Sequence, residues 1–435
     1  MEPYDLSAAE ASAAIADGSL TSETLVRSCL SRIAARDPVV KAWSYLDARQ
    51  AIADARECDK EIATHGGPKT PLHGIPIGVK DIIDVEGMPT TFNSVFYQDH
   101  VPSRDAECVR VVRACGAVIL GKTDTVEFAS GGRKALTTHP MNTGHSPGGS
   151  SSGSAAAVGD HHVPVAFGTQ TAGSLIRPAS YNGIYALKPT HASVAWPGAG
   201  QYAPSLDTIG WYGRSVDDVA MMAAAYRLRG VDQAAPAAQT LTVGLCKTPY
   251  ADRCEPATLE MLESAGKRLA AAGITVTEVE MPDGFVELSE MHRRVMFGEG
   301  MSHFLAEYLE QGEALSPDFV SRVVGGDVIP AEALREAYDA AAAGRRSLEA
   351  MFDGGPDVIM CPSATGEAPK GLTSTGDYVM NAFLTLLHVP LLAIPAASGP
   401  SGLPIGVQIV APRFDEPRLI AAARRLAPLL APDRI

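Results

Sequence analysis

Short apolar runs bounded by glycine and proline recur along the chain from residue 72 and alternate with stretches of helical periodicity. The early runs lie at residues 75–79, 117–120, 163–167 and 183–187, with helical stretches at 106–114 and 154–158. Later runs lie at 241–245, 274–279, 357–360, 391–394 and 405–410, and later helical stretches at 256–272, 331–352, 377–387 and 417–429. Buried strands that alternate with helices are typical of a sheet covered by helices. The pattern therefore predicts an α/β fold with a mixed sheet.

The first part of the chain has a different pattern, with amphipathic helices predicted at residues 6–15, 21–35 and 47–62. We assign residues 1–63 to an N-terminal helical layer, 64–220 to the core of the fold, and 221–435 to the rest of the sheet and the pocket loops. Residues 234–238 have the composition of a surface linker, but the strands beyond them are predicted to rejoin the same sheet. A chain of 435 residues that is 46% hydrophobic can bury one large core. A single domain spanning residues 1–435 is therefore predicted.

The net charge of the chain indicates which kinds of partner it can bind. The chain has 36 Lys and Arg against 50 Asp and Glu, a net charge of −14, and no local basic patch. Such a chain repels nucleic acid and anionic lipid, so neither partner is predicted. The first residues lack a basic segment followed by a long apolar one, and no apolar run approaches the roughly 18 residues of a membrane span. No secretory signal and no membrane helix are predicted, and a homodimer stays open.

The spacing of the cysteines indicates the redox state of the cellular compartment. The seven cysteines are scattered and include no CxxC pair. Unpaired thiols at irregular spacing are typical of a reducing environment. A cytoplasmic location is therefore predicted.

Gly116-Ala-Val-Ile-Leu-Gly121-Lys122-Thr123 has the spacing of a phosphate-binding P-loop. In a P-loop the strand precedes the first glycine. Here the four residues between the two glycines are themselves predicted to form the strand. We therefore predict a strand followed by a turn that carries Lys122, and no nucleotide site.

A second motif is Gly149-Ser150-Ser151-Ser152-Gly153, which fits the nucleophile elbow of α/β-hydrolases. The elbow requires a preceding strand, but residues 139–148 are polar and rich in glycine and proline. No histidine downstream has a context that marks it as a catalytic partner. His161 and His162 also lack a third ligand at a metal-site spacing, so no metal is predicted.

Three segments taken together favour a third interpretation. They are Gly78-Val-Lys80-Asp, then the Gly/Ser-rich segment 146–154 around Ser150, then Gly168-Thr-Gln-Thr-Ala-Gly-Ser174-Leu-Ile-Arg177. With the flanking phrases PLHGIPIGVKD, GAVILGKTDTVEFA and GIYALKPT, these segments resemble the amidase signature family from about residue 5 to the C-terminus. The resemblance implies a central mixed, twisted sheet covered on both faces by helices. It also implies a catalytic set of Lys80, Ser150 with a cis peptide bond, and the nucleophile Ser174.

The residue types fit the chemistry of that family. Ser174 needs a proton acceptor to attack an amide, and Lys80 can accept a proton when burial keeps its amine neutral. Ser150 would relay the proton between them, and an acyl-serine intermediate would follow. Backbone N–H groups of residues Thr171, Ala172, Gly173 and Ser174 are the predicted oxyanion hole. This route needs no metal and no organic cofactor.

The chain departs from the family pattern near the nucleophile. Many members have Asp where Gln170 stands and a second Gly where Ala172 stands, and their arginine follows the nucleophile by two places rather than three. The arrangement resembles members of the malonamidase type, which act on small amides of dicarboxylic acids. Arg177, Gly149 and Gln170 are therefore predicted to bind substrate, with Arg177 clamping a carboxylate. The alternative for Arg177 is a structural ion pair with Asp81 or Asp207.

The predicted function is hydrolysis of the C–N bond of a small carboxamide. Two alternatives use the same residues: the A-type glutaminase component of the tRNA-dependent amidotransferase, and an ester or carbamate hydrolase. A scaffold without activity is disfavoured because Lys80, Ser150 and Ser174 are all present. The pocket walls are expected from residues 285–304 and 371–383, and four further side chains are candidates for an acyl pocket: Trp196, Tyr202, Trp211 and Met296.

Overall fold

Eleven strands form one mixed sheet in the computed structural model, which describes residues 2–231 and 240–430. The strands are β1 (Trp43–Leu46), β2 (Pro76–Lys80), β3 (Val118–Thr123), β4 (Val165–Gln170), β5 (Tyr185–Lys188), β6 (Thr208–Gly213), β7 (Thr242–Leu245), β8 (Thr275–Glu278), β9 (Val358–Pro362), β10 (Leu391–Ser398) and β11 (Pro404–Val410). Their order across the sheet is β1-β3-β2-β4-β6-β5-β10-β11-β9-β7-β8. The predicted α/β fold with a mixed sheet is confirmed.

Fourteen α-helices in the same residues pack around this sheet. They are α1 (Ala8–Ala16), α2 (Ser22–Val40), α3 (Ala48–His65), α4 (Glu107–Ala114), α5 (Ser152–Gly159), α6 (Ile176–Asn182), α7 (Val216–Ala225), α8 (Pro256–Ala271), α9 (Leu288–His303), α10 (Leu305–Gln311), α11 (Pro317–Val324), α12 (Ala331–Ala350), α13 (Val379–Leu386) and α14 (Glu416–Leu430). None of these helices is both long enough and apolar enough to cross a lipid bilayer.

The strands that carry the site lie side by side and are buried throughout. β2 pairs in parallel with β3 on one side and with β4 on the other. Every residue of these three strands is buried. Strands covered on both faces read as continuous apolar runs because neither face meets water. This arrangement brings the C-terminal ends of β2 and β4 to the same edge.

Strands from the last part of the chain join the same sheet. β10 pairs with β5 of the core segment and with β11, which in turn pairs with β9. β7 lies between β9 and β8. The stretch 234–238 considered as a linker lies outside the described residues.

The N-terminal segment forms the predicted helical layer with α1, α2 and α3, and it also contains a strand that was not predicted. Strand β1 lies between α2 and α3 and pairs antiparallel with β3. A Cβ at Gly121 would overlap the carbonyl oxygen of Tyr45, so the close approach of β1 to β3 depends on glycine at that position. β1 was not predicted because it is only four residues long, its residues are not fully buried, and it contains no continuous apolar run.

Lys122 lies inside β3 and not in a turn after it. Its Nζ is buried and lies 2.9 Å from Asp81 Oδ1 and 2.8 Å from Thr90 Oγ1. The segment that imitates a P-loop is thus a strand, as predicted, and its lysine forms a structural ion pair.

Candidate active site

Lys80 ends β2 and carries the first functional group of the site. The side chain is fully buried, and its Nζ lies 2.7 Å from Ser150 Oγ and 2.7 Å from Thr169 Oγ1. The amine donates to both hydroxyl oxygens, and in its neutral form its one lone pair can accept the proton of one of these hydroxyls. Thr169, on the adjacent strand β4, was not identified from the sequence.

Burial determines the protonation state of this lysine. Removal from water lowers the pKa of Lys80 well below its ordinary value, because the charged amine loses its hydration. The buried carboxyl group of Asp207 acts in the opposite direction and raises the pKa. The first effect is the larger, so Lys80 is suited to accept a proton.

Ser150 lies in the loop that precedes α5. The peptide bond between Gly149 and Ser150 is cis. The carbonyl oxygen of Ser150 accepts a hydrogen bond of 2.9 Å from Thr125 Oγ1, which anchors the loop to the segment after β3. The serine side chain is thereby held against Lys80, as the motif implied.

Ser174 lies in the turn between β4 and α6 and is half-buried. Ser150 and Ser174 line one cavity of about 220 Å³. The cavity also has walls from segments distant in sequence: Val126, Ala129, Ser130, Thr171, Ala172, Arg177, Tyr202, Met296, Phe297, Arg322, Thr375 and Tyr378. The predicted pocket segments 285–304 and 371–383 each contribute two of these residues. Of the four candidate side chains for an acyl pocket, Tyr202 and Met296 line the cavity.

The turn before Ser174 is held from two sides. Thr171 Oγ1 donates to Asp207 Oδ1 at 2.6 Å, and the carbonyl oxygen of Thr171 accepts from His292 Nε2 at 2.8 Å. Burial lowers the pKa of His292 to about 4, so the ring is neutral and donates from Nε2. A Cβ at Gly173 would meet Asn381 Oδ1 at 2.6 Å, so the turn also packs closely on α13. A turn held in this way can keep its N–H groups in one orientation.

Gln170 lies beneath the turn and not in the cavity, which corrects the prediction that it binds substrate. Its side chain is fully buried; Oε1 accepts from the N–H groups of Leu175 and Ile176, each at 3.0 Å. Its Nε2 donates to Thr385 Oγ1, which in turn donates to the carbonyl of Ala172. Gln170 is therefore bonded, directly or through Thr385, to the backbone on both sides of Ser174.

Arg177 is almost fully buried and lines the cavity. Its Nη2 donates to the carbonyl of Gly149 at 2.6 Å and to Thr375 Oγ1 at 3.1 Å, whereas Nε and Nη1 have no partner among the described residues. The two acids considered as ion-pair partners are engaged elsewhere, Asp81 with Lys122 and Asp207 with Thr171. Gly149 contributes a carbonyl group that anchors this arginine.

Two buried residues were not predicted to belong to the site: Asp207 was considered only as an ion-pair partner of Arg177, and Arg322 was not identified. Asp207 comes directly before β6, and Arg322 lies on α11, far in sequence from any of the motifs. The structure brings Asp207 to Thr171, in the turn before Ser174, and Arg322 to the cavity.

Comparison with known proteins relates this arrangement to a family. The family model described as Amidase matches residues 24–420. A relative from Oleidesulfovibrio alaskensis, named as a component of glutamyl-tRNA(Gln) amidotransferase, is 32% identical over 97% of each chain. A protein of the same name from Roseiflexus castenholzii is 33% identical over 96% of this chain and 94% of its own.

A solved structure is similar over the same extent. The native peptide amidase from Stenotrophomonas maltophilia superposes with a TM-score of 0.81 at 28% identity, over 98% of this chain and 97% of that one. The match of the family model over most of the sequence agrees with the resemblance carried by the three motif segments. The chain belongs to the amidase family.

Proposed function

We propose that the protein hydrolyses the C–N bond of a small carboxamide, through an acyl-serine intermediate on Ser174, to a carboxylate and ammonia or an amine. The observation that carries the proposal is the buried Lys80 Nζ, 2.7 Å from Ser150 Oγ, with Ser150 and Ser174 on the wall of one cavity. A cavity of about 220 Å³ lies below the roughly 300–1,000 Å³ of sites for drug-sized ligands, which supports a small substrate.

In the proposed first step, Ser174 Oγ attacks the amide carbon while its proton passes to Ser150, whose own proton passes to neutral Lys80. N–H groups of residues 171–174 stabilise the negative charge that forms on the carbonyl oxygen. The C–N bond then breaks, and the proton held by Lys80 returns through Ser150 to the leaving nitrogen. Water attacks the acyl-serine by the same relay and releases the carboxylate.

The proposed base makes activity depend on pH in a defined direction. Lys80 accepts a proton only in its neutral form, and burial lowers its pKa well below the ordinary value. We expect kcat/KM for an amide to rise with pH and to level off well below the ordinary pKa of lysine, about 10.4. A pH profile of kcat/KM from acidic to alkaline pH measures this, and a profile with no rise anywhere in that range would contradict the role of Lys80.

A second candidate function is supply of ammonia from glutamine as the glutaminase component of an amidotransferase. The curated relatives named above favour it over hydrolysis of a free small amide, since they match this chain over nearly their whole length. A component of that kind would act with partner proteins, and its substrate amide would carry an α-ammonium group. Hydrolysis of an ester or a carbamate uses the same acyl-serine route.

Ammonia release by the purified protein distinguishes these candidates. The substrates are simple aliphatic amides, monoamides of dicarboxylic acids, and glutamine, with a matched ester and carbamate assayed for acid release. Turnover of free amides other than glutamine is expected for the proposed hydrolase. Turnover of glutamine alone would favour the amidotransferase component. If the ester or carbamate is cleaved and no amide is, the proposal of amide hydrolysis is wrong.

We also retain as proposals a single domain over residues 1–435 and a cytoplasmic location. The first is supported by the strands of residues 240–430 that join the sheet of the core segment. The second is supported by the described cysteines, all of which are free thiols.

A further inference from the structure

Two side chains that lie outside the cavity lining hold the carbonyl groups of the turn before Ser174. His292, on α9, donates from Nε2 to the carbonyl of Thr171 at 2.8 Å. Thr385, on α13, donates from Oγ1 to the carbonyl of Ala172 at 2.8 Å. Both side chains are fully buried, and neither lines the cavity. Two consecutive peptide groups of the turn are therefore each fixed at the carbonyl end.

The surroundings of each donor direct its proton to the turn. His292 Nδ1 has no partner among the described residues, so the single proton of the neutral ring is used at Nε2. The hydroxyl of Thr385 accepts from Gln170 Nε2 at 3.0 Å and lies 3.0 Å from the carbonyl of Asn381, one turn back in α13. The carbonyl of Ala172 is the nearer of its two acceptors.

The fixed carbonyl groups determine where the next N–H groups point. Both peptide bonds are trans, and the C=O and N–H bonds of a planar trans peptide point in opposite directions. The N–H of Ala172 is thus directed away from α9, and the N–H of Gly173 away from α13. Because α9 and α13 pack against each other, both N–H groups point to the same, opposite side. Thr171 and Ala172 line the cavity, whereas His292 and Thr385 do not, so this side faces the cavity.

The two N–H groups can bind an oxygen of the substrate. Neither the N–H of Ala172 nor that of Gly173 has an acceptor among the described residues, whereas the N–H groups of Leu175 and Ile176 are bonded to Gln170. Successive N–H groups on one side of the backbone form a concave site for an anion. Such donors stabilise an oxygen that becomes negative in the transition state more than the neutral carbonyl oxygen of the bound amide.

We propose that His292 and Thr385 are positioning residues of the oxyanion hole, each acting through one peptide group to direct the N–H of Ala172 or of Gly173 at the oxygen of the tetrahedral intermediate. The proposal rests on the proposed acyl-serine chemistry. It assigns no contact with substrate to either side chain. Loss of either donor frees one peptide group to rotate, which weakens binding of the transition state and leaves binding of the uncharged amide nearly unchanged.

Amide turnover by two variants measures the proposed role. His292→Leu removes the ring donor and keeps an apolar side chain in the buried space, and Thr385→Val keeps the shape of threonine without its hydroxyl. In each variant kcat is expected to fall about tenfold or more, below the roughly 10²- to 10³-fold loss that follows removal of an oxyanion donor itself. KM should stay nearly unchanged. An unchanged kcat in both folded variants, or a rise in KM at unchanged kcat, would overturn the proposal.

Conservative variants and a matched control separate positioning from stability. His292→Gln can place an amide N–H near the position of Nε2, and Thr385→Ser retains the hydroxyl, so both should keep a kcat close to that of wild type. The control is His139→Leu, because His139 is fully buried and its Nε2 lies 2.8 Å from the carbonyl of Tyr181, outside the cavity lining. It loses a buried bond of the same kind but should keep kcat. An equal fall in kcat in this control, or in Thr385→Ser, would contradict the assignment.

Binding of propylboronic acid separates failure of this inference from failure of the proposed function. A bond forms between Ser174 Oγ and boron, the serine proton passes to the relay, and the tetrahedral boron bears a negative charge and an oxygen for the oxyanion hole. If the wild-type protein releases ammonia from no amide, the proposed function fails, and the affinity for this compound still tests the inference. Binding about tenfold weaker in His292→Leu and Thr385→Val supports it. Equal affinity, or no tetrahedral adduct with wild type by boron NMR, would overturn it.

Discussion

Replacement of Ser174 by alanine is expected to lower kcat/KM for an amide by about 10⁴-fold or more, the loss typical of a missing serine nucleophile. The substitution removes the one oxygen that forms the acyl bond, while Lys80, Ser150 and the turn held by Gln170 stay in place. Because Ser174 is half-buried on the cavity wall, loss of its hydroxyl should leave the midpoint of thermal unfolding nearly unchanged. Ammonia release and thermal unfolding of the same preparation measure both effects.

A control excludes a general effect of replacing serine. Ser302, at an exposed position of α9, donates to the carbonyl of Glu299 and lies outside the cavity lining, so Ser302→Ala should retain wild-type activity. Mass spectrometry during turnover adds a second readout, because the acyl group should be found on wild-type protein and not on Ser174→Ala. Residual activity of Ser174→Ala within tenfold of wild type would contradict its assignment as the nucleophile.

Replacement of Lys80 by methionine is expected to lower kcat/KM by about 10²- to 10⁴-fold, the usual contribution of a general base. Methionine has a similar length and apolar character, so it can fill the buried space without an amine. Ser150 then loses the group that accepts its proton, although its backbone stays anchored by Thr125. Ammonia release across a pH series measures the loss.

Stability distinguishes a lost base from a lost fold. Removal of the amine leaves the buried hydroxyls of Ser150 and Thr169 without that partner, so the midpoint of thermal unfolding should fall modestly while the protein stays folded. The pH-dependent rise in kcat/KM should also vanish from the remaining activity. A folded variant that keeps the wild-type pH profile would contradict the assignment of Lys80 as the base.

Sequence analysis was most informative where the important residues lie within one short segment. Lys80, Ser150 and Ser174 each stand within a short segment of unusual composition, and the structure places the first two 2.7 Å apart and the last two on one cavity wall. The α/β class was predicted for a similar reason, since each buried strand records its environment in its own run of apolar residues. Strand β1 left no such record because its residues are partly exposed.

The sequence by itself determined the fold class, the family and the three residues of the proposed relay, because these depend on patterns within short segments. The tertiary structure decided what surrounds them. Gln170 was predicted to bind substrate, but its partner Thr385 lies 215 residues away and draws the side chain beneath the turn. Arg322 reaches Ser130 across 192 residues. The wall of the cavity is formed by segments that are distant in sequence and meet only in the folded protein. No pattern within one short segment can therefore predict it.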